Sequence, residues 1–119
     1  MDDERRISQR RKFGYYMPVT DNNTHELVGY LSNISPRGFK LDSKKALAVN
    51  KEYTLRLDLT PEISDKSYIS FRALAMWEHT DPMDPFGHVE GFQIVNISPY
   101  EKEIYQRIVE KYATPESNW

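Results

Sequence analysis

The stretch Glu52-Tyr53-Thr54-Leu55-Arg56-Leu57-Asp58-Leu59 decides the fold class. Tyr53, Leu55, Leu57 and Leu59 take every second position and polar residues fill the gaps. Successive strand side chains point to opposite faces, so this pattern predicts a strand with one face in a core and the other toward water. A turn containing Pro61, Glu62, Ser64, Asp65 and Lys66 follows, after which Ile69, Phe71, Ala73, Ala75 and Trp77 repeat the alternation. Two such runs joined by turn residues predict an antiparallel hairpin.

Further along, Val89 to Ile97 reads as another strand after a loop containing Pro82, Pro85 and Gly87. Gly91 lies inside it, where a glycine marks a bulge or a close approach of the backbone. Before the hairpin, Tyr15 to Val19, Glu26 to Leu31 and Phe39-Lys40-Leu41 are short apolar segments, the second leading into a loop at Asn33. The pattern then changes period. Ser98-Pro99-Tyr100-Glu101 combines an N-cap serine, a proline at the first helical position and a glutamate three residues after the cap. Ile104, Tyr105, Ile108, Val109 and Tyr112 form one stripe of the helix that follows, and Pro115 closes it. Five or six short strands and one terminal helix predict a mainly β fold, a small antiparallel barrel with a C-terminal α-helix docked on it.

The length of 119 residues suits one domain, and 39% apolar with 13% aromatic content is too rich for a disordered chain. There is no cysteine, which excludes disulfides and thiolate metal sites. No leader-like apolar run follows Met1-Asp2-Asp3-Glu4 and no segment is apolar enough to cross a bilayer, so a soluble cytoplasmic protein without membrane insertion is expected. The net charge of −2 conceals an asymmetry, since residues 1–12 carry +2 and the remainder −4. Duplex-binding proteins spread positive charge over a face and have a high pI, whereas this pI is about 5.9. A small anionic ligand is the better expectation, with no DNA or RNA.

The local positive charge belongs to Arg5, Arg6, Arg10, Arg11 and Lys12. Roughly twenty residues later comes Asn33-Ile34-Ser35-Pro36-Arg37-Gly38. Arginine donates two parallel hydrogen bonds to a guanine edge or a phosphate and stacks on aromatic faces. Arg6-x-x-x-Arg10 followed by Asn33-x-Ser35-x-x-Gly38 resembles the paired signature of the PilZ family, bacterial receptors for cyclic di-GMP. Ala73-Leu74-Ala75-Met76-Trp77 and Glu90-Gly91-Phe92-Gln93-Ile94 resemble the late strands of that family. The likeness covers roughly residues 4 to 112.

The resemblance implies a six-stranded antiparallel barrel with a C-terminal helix, divided as a mobile arginine-rich segment at 1–12, the barrel and helix at 13–114 and a tail at 115–119. It implies that Arg6 and Arg10 bind guanine edges and phosphate, that Asn33 contacts a guanine, that Ser35 donates to a phosphate or shapes the loop, and that Gly38 allows the turn. Arg5, Arg11 and Gly91 complete the expected ligand-binding set. An arginine at position 5 implies two stacked ligand molecules rather than one. Asn33 replaces the aspartate of many members, exchanging a carboxylate for an amide that both donates and accepts. Cyclic di-GMP is then the ligand, no cofactor is required, and the output passes to an unidentified downstream protein.

Each feature also has a plainer explanation. The arginines alone would suit a solvated tail or an RNA-contacting arm, but neither accounts for the motif at Asn33. An interaction module of the same fold that binds no nucleotide is the main alternative. Ser35 has no nucleophile elbow around it, and no general base or metal constellation points to an enzyme. His79, Asp81, Asp84, His88 and Glu90 form a polar cluster whose spacing matches no zinc or calcium signature, so a solvated hairpin loop is expected there and no metal. Trp77 and Phe92 read as core or barrel-rim residues.

Overall fold

The computed structural model describes residues 17–113. The arginine segment at 1–12 and the tail at 115–119 lie outside them. Among the described residues six strands, β1 (Pro18–Asp21), β2 (Leu27–Ser35), β3 (Gly38–Ser43), β4 (Glu52–Asp58), β5 (Tyr68–Asp81) and β6 (Asp84–Asn96), precede one helix, α1 (Pro99–Tyr112). The strands close into an antiparallel barrel in the order β1-β2-β3-β6-β5-β4, with β1 pairing back on β4. The expected mainly β barrel with a C-terminal helix is the architecture found.

The alternation that predicted β4 is realised in the core. Leu55 and Leu57 are buried opposite Phe71 and Ile69 of β5, while Arg56 and Asp58 face outward. Around them Phe39 of β3 stacks on Phe92 of β6 with centroids 5.2 Å apart and meets Phe71 edge-on at 5.6 Å. Ile63, within the turn read as polar, is also buried and joins this cluster.

Two expectations need correction. The Asn33 segment is not a loop: β2 continues through Ser35, leaving only Pro36 and Arg37 as the connection to β3. Nor is the Pro82 to Gly87 segment a loop, because β5 and β6 run on to a tight turn at Pro82 and Met83, with Asp81 paired to Asp84. The side chains of Asp81 and Asp84 stabilise that tip by accepting from the Met83 and Phe86 N–H groups.

The helix closes one end of the barrel. The Ser98 hydroxyl accepts from the Glu101 N–H and donates to the Glu101 carboxylate, whose other oxygen accepts from the Ser70 N–H of β5 at 2.7 Å. Glu101 therefore anchors the helix start to the sheet as well as capping it. Ile104, Tyr105 and Ile108 are buried in the barrel core. The Tyr105 hydroxyl lies 2.7 Å from the Ser35 carbonyl and 2.8 Å from the Gly38 carbonyl, so one proton serves both ends of the β2–β3 turn. Burial raises the pKa of Tyr105 well above the ordinary tyrosine value. Tyr105→Phe keeps the ring but leaves two buried carbonyls short of a donor, and we expect a loss of about 1–3 kcal/mol in urea unfolding.

At the opposite end Glu90 is fully buried beside Leu41, and burial raises its pKa to about 7. The Ser43 hydroxyl is 2.7 Å from Glu90 Oε1 and 2.8 Å from the Lys45 carbonyl. Its single proton reaches only one of them, so both are satisfied when Glu90 is protonated and donates to Ser43. A carboxyl that holds its proton more tightly folded than unfolded adds stability below its unfolded value of 4.5. That contribution is lost as the pH rises through about 7. In chelator-containing buffer, unfolding free energy should fall by about 2 kcal/mol between pH 5 and 8, with screening at the barrel mouth allowed for. Glu90→Gln should flatten that dependence. No helix of the described residues is long and apolar enough to cross a membrane.

Candidate functional site

Strand register gathers the motif residues that fall within 17–113. Asn33 of β2 pairs with Lys40 of β3, Lys40 with Gly91 of β6, and Gly91 with Trp77 of β5, one continuous row across four strands. Phe39, Leu41 and Phe92 are buried in the core, so by alternation Lys40 and Gly91 face outward. The row lies on the outer wall of the barrel.

Two bulges bring its ends onto that wall. Between Leu31 and Asn33 the register slips by one, and Ser32 is the extra residue. Leu31 stays in the core while Asn33 turns out beside Lys40. On β5 the slip falls between Ala75 and Trp77, with Met76 the extra residue. A bulge shifts every later side chain to the other face. Trp77, which continues the inward series Ile69 to Ala75 on paper, therefore lies outside, and its indole rests on Gly91. A Cβ on Gly91 would stand 2.2 Å from Trp77 Cε2 and 2.4 Å from Nε1, so only glycine permits this contact. The Lys40 ammonium sits 5.9 Å from the indole centroid, within cation–π range, and the His79 ring lies 5.0 Å from it at 32°. Phe92 is a core residue as read from the sequence, whereas Trp77 is not.

The motif residues themselves are held tightly. Asn33 is buried, and its Oδ1 accepts from the Ile34 N–H at 2.8 Å. Ser35 is buried, and its hydroxyl donates to the Gly38 carbonyl at 3.2 Å. Gly38 closes the two-residue connection as expected, but for a different physical reason. It has no left-handed φ; a Cβ there would lie 2.0 Å from the Phe92 carbonyl oxygen, so glycine is required for β3 and β6 to approach. Arg37, exposed at the turn, joins Met76, Trp77, Gly91, Phe92 and Gln93 around a concavity of about 290 Å³. An aromatic face, a glycine floor and two nearby cations, Lys40 and Arg37, suit a flat anionic ligand.

Of the residues expected from the sequence to bind ligand, the fold brings Asn33 and Gly91 into one row with Ser35 and Gly38 at its edge. Sequence reading missed Trp77, Lys40 and Arg37. The available signal for Trp77 was its pairing distance to Gly91, the second glycine of the next strand. Arg5, Arg6, Arg10 and Arg11 lie outside the described residues.

A family model described as the PilZ domain matches residues 4–111. No curated protein sequence matches. Among solved structures, the Bacillus subtilis inhibitor of motility, MotI/DgrA, aligns with a TM-score of 0.65 at 15% identity over 82% of this chain, which spans 46% of that one. The PilZ domain with c-di-GMP of YcgR from Escherichia coli aligns with a TM-score of 0.57 at 16% identity over 82% of this chain and 80% of that one.

Proposed function

Since this chain belongs to the PilZ domain family, we propose that it is a receptor for cyclic di-GMP and signals to a partner protein when the ligand binds. The observation that carries the proposal is the outer row Asn33, Lys40, Gly91 and Trp77, with Arg37 at its edge. A guanine base laid on the Trp77 wall would stack on an aromatic ring and face an amide and two cations. The concavity of about 290 Å³ is at the small end for ligand sites, the scale of a base rather than a whole cyclic dinucleotide. The phosphates and second guanine would be gripped by Arg5, Arg6, Arg10 and Arg11. The matched region begins at residue 4 and so includes these arginines, and one of the similar structures is a PilZ domain with c-di-GMP.

The relay proceeds by ordering of the arginine segment. Without ligand, four arginines within seven positions repel one another; the two ligand phosphates offset half of that charge, and the segment closes over the barrel wall to present a new surface. The reading is of a cytoplasmic signalling receptor rather than an enzyme.

A titration of cyclic di-GMP into a Trp119→Phe variant, followed by tryptophan fluorescence, reads Trp77 alone. Saturable change with cyclic di-GMP and none with GTP supports the proposal. Limited proteolysis tests the relay: ligand should protect the bonds after Arg5, Arg6, Arg10, Arg11 and Lys12. Equal cleavage with and without saturating ligand would remove the ordering step while leaving binding intact.

A further inference from the structure

Glu78, His88 and Glu90 lie on the opposite face of the β5–β6 ribbon from Trp77. Glu78 pairs directly with Glu90 across the two strands, and His88 is two residues along β6 on the same side. One ligand atom from each lies within 4.8 Å of the others. We propose that these three side chains form a binding site for one divalent transition ion of the zinc class, clamping the ribbon to the barrel mouth.

Glu90 is fully buried, its Oε1 is 2.7 Å from Ser43 Oγ, and its Oε2 is buried with no hydrogen-bond partner. A buried carboxylate oxygen left unpaired carries the full desolvation cost, and native proteins satisfy such atoms with a hydrogen bond, a cation or a metal. No lysine or arginine among the described residues pairs with Glu90; Lys44 approaches Asp84 instead, at 3.9 Å. Its neighbours on the same face are a second carboxylate and an imidazole, with Glu78 Oε2 and His88 Nδ1 only 2.6 Å apart.

Two carboxylates balance a divalent charge, and an imidazole together with carboxylate oxygens selects first-row ions over calcium or magnesium, which take oxygen ligands alone. Ser43 Oγ, held between Glu90 Oε1 and the Lys45 carbonyl, is an outer partner that orients the buried carboxylate. The proton now shared between His88 and Glu78, and any on Glu90, leave to solvent as the ion enters, so both carboxylates and a ring nitrogen are free to coordinate. Because β5, β6 and, through Ser43, β3 all contribute, an ion here would tie the protruding hairpin to the closed part of the barrel. His79, adjacent to Glu78 but on the Trp77 side, takes no part.

The test uses the full chain stripped with EDTA, desalted, and titrated with zinc chloride by calorimetry and with cobalt chloride by visible absorption. The expected result is one ion per chain, a rise in melting temperature, and an affinity at least about 10-fold weaker in His88→Ala and in Glu90→Gln. His25→Ala and His79→Ala, which remove the other two histidines, should bind as the parent does. Glu90→Gln is near-isosteric, so its circular dichroism spectrum should stay native; if His88→Ala misfolds, His88→Asn and Glu78→Gln replace it. No stoichiometric ion on the parent protein, or affinity undiminished when His88 or Glu90 is replaced, would overturn the site and leave a simple Glu78–His88 hydrogen bond. Cyclic di-GMP plays no part in these readouts, so they stand or fall apart from the receptor proposal.

Discussion

Replacing Arg6 and Arg10 together by alanine should reduce affinity for cyclic di-GMP by about 30-fold to 25,000-fold, since each bidentate guanine contact is worth about 1–3 kcal/mol. Each single change should lose about 5-fold to 150-fold, and Lys12→Ala much less, because a lysine acts on phosphate as a point charge and gives no planar fork. The contrast separates this proposal from simple attraction of an anion to a basic segment, in which every positive residue would count about equally. Raising salt from 50 to 200 mM should weaken the Lys12 contribution more than that of the paired arginines, because close hydrogen-bonded contacts are screened less than the general field. Fluorescence titration of the four proteins at both salt concentrations supplies the comparison. Equal losses across all the basic positions would leave a nonspecific anion site.

The second large effect distinguishes two glycines. Gly38→Ala should destabilise the protein by about 3 kcal/mol or more, because the new Cβ would lie 2.0 Å from the Phe92 carbonyl oxygen, a backbone atom of the paired strand in the barrel wall. Relief requires β3 to part from β6, which also disturbs the Phe39–Phe92 stack and the two carbonyls held by Tyr105. Gly91→Ala meets the indole of Trp77 at 2.2 Å instead, and a side chain at the surface can swing away. Its cost in stability should be smaller, about 1–2 kcal/mol, while the wall proposed to stack the base is lost. Urea unfolding together with ligand titration therefore assigns Gly38 to the frame and Gly91 to the ligand face. If Gly91→Ala kept full affinity, Trp77 would not be part of the binding wall.

Much of the architecture was legible because period-2 alternation and capping chemistry are local. Leu55 and Leu57 announce β4, Phe71 and Ala73 its partner, and Ser98-Pro99 the helix start. What the alternation cannot carry is a change of parity. The bulges at Ser32 and Met76 arise from how two strands meet, and neither residue type marks them, so Trp77, which reads as a core or rim residue, sits on the outer wall. Pro82, Pro85 and Gly87 similarly suggest a loop. Proline is tolerated at the tip of a protruding ribbon, where no neighbouring strand needs its N–H, and the strands continue past it. That continuation also hid Glu90. Counted as loop it is a solvated acid; counted in step with Phe92 along β6 it points inward.

The arrangement of the Asn33 motif was legible for another reason. Asn33, Ser35 and Gly38 are fixed by a short hairpin, so their spacing in the chain translates directly into geometry. The row they belong to was not legible, since Lys40, Gly91 and Trp77 reach it through pairing between strands remote in sequence.

The central claim is that this barrel wall and the arginine segment together bind cyclic di-GMP. Isothermal titration calorimetry of the full chain with cyclic di-GMP, beside a GTP control, measures this most directly. The account predicts a saturable heat with cyclic di-GMP alone, lost in Arg10→Ala, with two ligands per chain if Arg5 supports a stacked pair. No heat and no rise in melting temperature at high ligand concentration would contradict it, leaving an interaction module of the same fold that works without nucleotide.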